Sequence, residues 1–218
     1  TDKIFLCRQK GPQEDKVAAY FKMINAQEGK PLLDIQTLNF DSIVSPGLLK
    51  NRLDSNRQTV IIGGSLDETF ATNLTAACFE LHESYPITLL GMPNWDNFKA
   101  LQKKDIYEDF PLYVTSPYFN GKWDAYSKLV NAAYTKKYKG KATDIVFKGF
   151  ECTYLFTKLV TKYPGDVINH LNDKGFRVFS DYNFKPVMLK KNAQFPDYFE
   201  NKHLYFIRLM NGTVSKGW

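Results

Sequence analysis

The chain has 218 residues, 44% hydrophobic and 15% aromatic, and 29 Lys and Arg against 23 Asp and Glu give it a formal charge of +6. That composition belongs to a folded chain long enough to bury a sizeable core, and it excludes a disordered tail. Apolar runs such as TVIIGG and ITLLGM fall far short of the ~20 residues that a bilayer span needs.

Thr1 to Gln9 already reads as an extended segment, so no charged-then-apolar leader opens the sequence, and any targeting peptide is expected outside it. Strands are expected at Lys3 to Gln9, Leu32 to Asn39, Thr59 to Ser65, Ile87 to Pro93 and Pro111 to Pro117. Helix-period segments lie between them at Asp15 to Ala26, Pro46 to Asp54, Asp67 to Ser84 and, amphipathic, Trp95 to Lys103. Strands separated in this way imply right-handed parallel crossovers, hence a doubly wound, mainly parallel five-stranded sheet of the flavodoxin-like kind. Asp67 suits the cap of the third helix and Glu68 its first turn, while Pro86 stops that helix and Pro93 ends the next strand.

Beyond Pro117 the pattern changes. Asp124 to Tyr138 carries the stripe Tyr126, Leu129, Val130, Ala133 and Tyr134 of an amphipathic helix. Asp144 to Thr161 is a second helix, apolar nearly all round, which predicts burial on more than one side. A short helix at Asp166 to Asn172 precedes FRVFSDYNFKPVML and HLYFIRLMNG, which alternate like antiparallel edge strands, with Asn211 and Gly212 as a turn.

The densest basic run, KKYKGK at Lys136 to Lys141, falls at a helix end, where the dipole favours cations. It reads as a solvated terminus, without the arginines that a nucleic-acid groove would use, so no nucleic-acid partner is expected. Three cysteines cannot all pair within the chain. Cys7 falls in a strand and Cys78 and Cys152 on apolar helix faces, as small core residues. Cys78 and His82 share a face at the four-residue spacing of a metal pair, but no second pair accompanies them.

In open α/β sheets ligands bind beyond the carboxyl ends of the strands, at the reversal of strand order. That selects the loops carrying Arg8 and Gln9, Gly64 and Ser65, Asn94 and Trp95, and Ser116 and Tyr118. Gly64 and Ser65 at a helix start could offer N–H donors to a carboxylate, and Trp95 and Tyr118 could stack on an apolar side chain or a sugar ring. The plainer alternative is that the two glycines make a tight turn and the aromatic rings are core. Catalytic signatures are missing: His82, His170 and His203 lie in different elements, Asp67 stands where G-x-S-x-G needs its second glycine, and no H-E-x-x-H or phosphate loop occurs. Neither an enzyme nor a cofactor is expected.

Three segments together resemble the type I periplasmic-binding-protein fold, in its branched-chain amino-acid receptor group of ABC-transporter solute-binding proteins. PLYVTSPYF resembles the strand leading into the interlobe crossover. YSKLVNAAYTKKYKGKATDIVFKGFECTYLFTKLV resembles the following helix pair, with Phe150-Glu151-Cys152 where the family has Tyr-Asp-Ala. FRVFSDYNF and HLYFIRLMNGTV resemble the returning strands. The resemblance implies three parts: residues 1–117 as the first pass of one ligand-binding lobe, 118–175 as crossover helices of the other, and 176–218 as strands returning to the first. It also implies a fragment whose crossover helices are covered by a missing N-terminal lobe, by a dimer or by redocking. A non-enzymatic receptor of the periplasm or cell envelope follows, closing on an amino-acid-like ligand and meeting a membrane permease or the cell wall. Some proteins of similar arrangement accompany peptidoglycan-binding modules. The alternatives are a ligand-free envelope scaffold and the effector domain of a transcription regulator.

Overall fold

The computed structural model describes residues 3–27, 29–41, 43–104, 106–190 and 194–217; Thr1 and Asp2, at the head of the expected first strand, lie outside them. The chain divides into two units, Thr1–Ser116 with Phe206–Trp218, and Pro117–Tyr205.

The first unit is built around β1 (Lys3–Gln9), which buries Phe5, Leu6 and Cys7 in succession, the mark of a strand covered on both faces. α1 (Pro12–Asn25) follows, then β2 (Ile35–Phe40), the short α2 (Pro46–Lys50), β3 (Thr59–Gly63), α3 (Glu68–Leu81), β4 (Ile87–Leu90) and β5 (Leu112–Ser116). The order β2-β1-β3-β4-β5 is parallel throughout: Leu6 stands opposite Thr37 of β2 and Ile62 of β3, Ile61 opposite Leu89, and Leu89 opposite Leu112. This is the flavodoxin-like order, with its reversal between β1 and β3. Two C-terminal strands, β8 (Tyr205–Met210) and β9 (Thr213–Lys216), extend the sheet beyond β5 to seven strands. They pair antiparallel through Asn211 and Gly212, whose φ values of 51° and 67° suit a two-residue hairpin turn.

Alternation along the strands sorts the faces. Ile61, Leu89, Leu112, Val114, Ile207 and Leu209 are buried, and α3 buries Phe70, Ala71, Leu74, Ala77 and Cys78. The intervening Ile62, Leu90, Tyr113 and Phe206 are only half-buried, and with Phe21 of α1 they border an apolar cavity of about 270 Å³. α1 buries none of its residues. α3 starts as expected, with Asp67 Oδ1 accepting from the N–H of Phe70 at 2.7 Å.

The helix expected at Trp95 to Lys103 is two 3-10 turns, Pro93–Asn97 and Lys99–Gln102, broken by Phe98 in an extended conformation. The cause lies at Trp95, whose ring is turned fully inward. An amphipathic helix would bury it as well, but here the indole N–H is tied to Ser65 O at 2.8 Å, which fixes where the ring must lie.

The second unit contains α4 (Ala125–Tyr138) and α5 (Asp144–Lys162). Asp124 caps α4, accepting from the N–H of Ser127 at 2.8 Å, and Lys139 ends it in the left-handed region at φ 59°. Asn131 Oδ1 accepts from the N–H of Ala142 at 3.1 Å, which ties α4 to the turn leading into α5. Val130, Ala142 and Phe147 form one small core, and Leu155, Leu159 and Leu171 another.

Four expectations are corrected here. α5 buries a single face, leaving Ile145 79% and Val160 57% exposed, and Cys152 is exposed on it where a core position was expected. The short helix at Asp166 to Asn172 is a 3-10 turn, Val167–His170. The strand inside FRVFSDYNFKPVML, β6 (Phe184–Val187), stays in this unit and pairs antiparallel with β7 (Tyr198–Asn201), so the chain rejoins the large sheet only at β8. Pro186 lacks the N–H that an inner strand of the large sheet would use, and a two-stranded ribbon tolerates it.

Candidate functional site

At the reversal between β1 and β3, where an open sheet offers its ligand crevice, the chain has filled the crevice with its own groups. The N–H of Gly64 donates to Cys7 O at 2.7 Å and is therefore spent on the sheet. Ser65 is fully buried. Its Oγ donates to Glu14 Oε1 at 2.8 Å and accepts from the N–H of Asp67 at 3.2 Å. With Asp67 on the N–H of Phe70, the carboxylates expected of a ligand at this helix start are supplied by Asp67 and Glu14.

Trp95 closes the same end of the sheet. It is 0% exposed, its indole N–H donates to Ser65 O at 2.8 Å, and its ring lies where side chains on Gly63 and Gly91 would have to go. A ring so enclosed presents no stacking face to a ligand, which corrects the role expected of it. Asn94 is partly structural too, its Nδ2 donating to Leu66 O at 3.0 Å while Oδ1 is buried without a protein partner. Ser116 ends β5, half-buried. Tyr118 belongs to the second unit, where Lys148 Nζ sits 4.7 Å from its ring centroid and burial, ahead of every other cause, pushes its hydroxyl pKa up. The sequence grouped these residues as loop ends, and the structure brings only Gly64, Ser65, Asn94 and Trp95 together.

Arg8 is different. It lies at the carboxyl end of β1, opposite Asn39 of β2, and Gln9, next to it, ends the strand half-buried opposite Phe40. The Arg8 side chain is only 14% exposed; Nε donates to Asn39 Oδ1 at 2.8 Å and Nη1 pairs with Asp15 Oδ1 at 2.7 Å. Nη1 is itself enclosed against Asp15, in a contact close in distance but poorly directed as a hydrogen bond, so any donor capacity open to the cleft lies at Nη2. The guanidinium borders a cleft of about 540 Å³ between α1 and β2. Charges of both signs line it, Arg8 and Lys22 against Asp15 and Asp34, with Leu6, Phe21 and Ile35 as an apolar wall. No protein partner is recorded for Lys22 or Asp34 among the described residues. Only Arg8 of this set was legible as a site residue. Lys22, Asp34 and Asn39 gave no sequence signal, because their convergence depends on α1 standing off from the strand it crosses.

Among the described residues no group of three or more His, Cys, Asp and Glu is placed to hold a metal ion. Cys78 is buried, with its thiol pKa pushed well up by desolvation, and His82 stacks on Phe79 at 5.0 Å between ring centroids. In the second unit, Glu151 is 1% exposed and its carboxylate accepts from the N–H of Phe179 at 2.9 Å, the N–H of Ser180 at 2.7 Å and Ser180 Oγ at 2.5 Å. Glu151 thus acts as an internal staple. Tyr182 beside it has its pKa raised, first by burial and then by the charge of Glu151.

No family model matches the chain, and no curated protein does. Matches occur among solved structures. One is a branched-chain amino acid ABC transporter periplasmic ligand-binding protein from Burkholderia xenovorans LB400, 14% identical with a TM-score of 0.49, covering 93% of this chain and 58% of that one. Another is an ABC transporter solute-binding protein from R. palustris in complex with benzoate, 14% identical with a TM-score of 0.43, covering 99% and 57%. The chain therefore spans less than two thirds of the length of either structure.

Proposed function

We propose that the first unit is a non-enzymatic binding module for a small zwitterion of the amino-acid type, held in the cleft beside Arg8. The observation that carries this reading is the half-used, largely buried guanidinium at the rim of a cleft that also holds Lys22, Asp15 and Asp34. A carboxylate suits the free edge of the Arg8 fork, reinforced by Lys22, because a planar fork binds carboxylates in pairs of hydrogen bonds. An ammonium group suits Asp15 and Asp34, and a short apolar side chain suits Leu6, Phe21 and Ile35. The cleft lies within the ~300–1,000 Å³ of ordinary ligand pockets. Such a module fits a receptor of the periplasm or cell envelope working with a membrane permease.

Thermal unfolding with each of the common L-amino acids in turn is the test. A ligand at a hundredfold excess over its Kd adds about 2.7 kcal/mol of stability. Arg8→Ala should weaken binding at least tenfold, since the lost contacts are charge-assisted. A flat response across the panel, or an Arg8→Ala protein that binds as well as the wild type, removes the reading. A ligand-free scaffold is the second reading, favoured by Trp95 and Ser65 filling the crevice where a ligand of this sheet type would otherwise sit.

A further inference from the structure

The charge of this chain is unevenly placed. Residues 117–205 carry 15 Lys and Arg against 8 Asp and Glu, a net +7, whereas the rest carries 14 against 15. All the net positive charge is therefore in the second unit. Charge asymmetry of this kind points to an anionic partner for one part of a protein.

Within that unit the charge is concentrated at the turn joining α4 to α5. Lys136, Lys137, Lys139 and Lys141 are all exposed, and none has an acidic partner among the described residues. The nearest acidic residue in sequence, Asp144, is already paired with Lys122 at 2.7 Å. A helix C-terminus offers about half a negative charge, so the dipole accounts for only a small part of four cations. The turn is also held in shape. Lys139 takes the left-handed conformation, Thr135 Oγ1 donates to Gly140 O at 3.0 Å, and Asn131 accepts from the N–H of Ala142.

An exposed aromatic ring accompanies these lysines. Tyr138 is 59% exposed, packs on Tyr134 at 4.7 Å between centroids and carries Lys137 Nζ 5.2 Å from its own centroid. Arginine, the residue of phosphate forks in nucleic-acid grooves, occurs once in this unit, and Arg177 is engaged by Asp181 at 2.5 Å and Tyr182 O at 2.7 Å. Lysines beside an exposed Tyr are instead the pattern of a protein lying on a charged lipid surface, where ammonium groups meet headgroups and the ring enters the interface.

We infer that the α4–α5 corner docks this protein on an anionic bilayer surface, through Lys136, Lys137, Lys139 and Lys141 with Tyr138 at the headgroup level. The full chain is mixed with vesicles of phosphatidylcholine alone or with a third phosphatidylglycerol, and the bound fraction is read by sedimentation. Binding to the anionic vesicles alone, falling as salt rises, is the expected result. Each lysine contributes about fivefold to such binding, so replacing all four by Gln should lower it by more than a hundredfold. A circular-dichroism melt confirms that the variant is folded, and Tyr138→Ser, which keeps every charge, should lower binding by a smaller factor. Equal binding to both vesicle types, or a folded quadruple variant that binds like the wild type, overturns the inference. Retention by polyphosphate or duplex DNA without binding to vesicles overturns it as well.

Discussion

Trp95 shows how one side chain can decide the chemistry open to a sheet. Its ring takes the volume beyond Gly63 and Gly91, so those two positions tolerate no side chain while it is there. Gly63→Ala should cost about 2–3 kcal/mol in a urea melt, because a methyl forced into a closed interior displaces its neighbours. In a Trp95→Leu background the same alanine should cost under about 1 kcal/mol, and equal costs in the two backgrounds would show that the ring is not the obstacle. The residues of this site were legible as punctuation, a Gly-Gly pair after an apolar run and a tryptophan after Pro93. Their roles were not, since nothing in a linear pattern says whether an aromatic ring at a strand end turns in or out. Glu151 makes the same point from the other side. Its place in a helical pattern marks a polar residue on an apolar segment, while the three donors it satisfies come from a loop far along the chain.

At the scale of elements, caps and strand periods carried well and short helices did not. The start of α3 was readable because Asp67 is a local signal that acts on an N–H three residues on, and Asp124 caps α4 in the same way although only the apolar stripe of that helix was read. Burial by itself would raise the Asp124 carboxyl, but hydrogen bonds from the Ser127 side chain and N–H pull its pKa below the usual value. A depressed folded pKa means that the cap's contribution is complete above the unfolded value near 4 and is lost as pH falls through the lower, folded one. Helix content should therefore drop as pH falls below about 4, and Asp124→Asn should flatten that part of the curve. An identical acid limb in the variant would assign the loss to other carboxylates. The segment from Trp95 to Lys103 failed as a helix because its period is right while its leading ring is claimed by the sheet. The assignment of β6 to the large sheet failed for a related reason: alternation reports a half-buried strand without naming its partner.

For the molecule as a whole, strand order followed from the regular spacing of strands and helices, and the place where the chain departs followed from the change of texture after Pro117. The cleft beside Arg8 could not be foreseen, since it depends on how loosely α1 lies over β1 and β2. β5 and β8 are neighbours in the sheet, yet residues 117–204 lie between them. While the polypeptide is being made, the outer rim of β5 must wait uncovered until residues 117–204 and then β8 have been made, and a bare rim of that kind recruits other chains. A product stopping at Tyr205 should accumulate as aggregate and bind an amyloid-sensitive dye, whereas one lacking only β9 should stay dispersed. The strand that reaches the sheet latest would thus be the one that keeps the earlier strands apart from their copies.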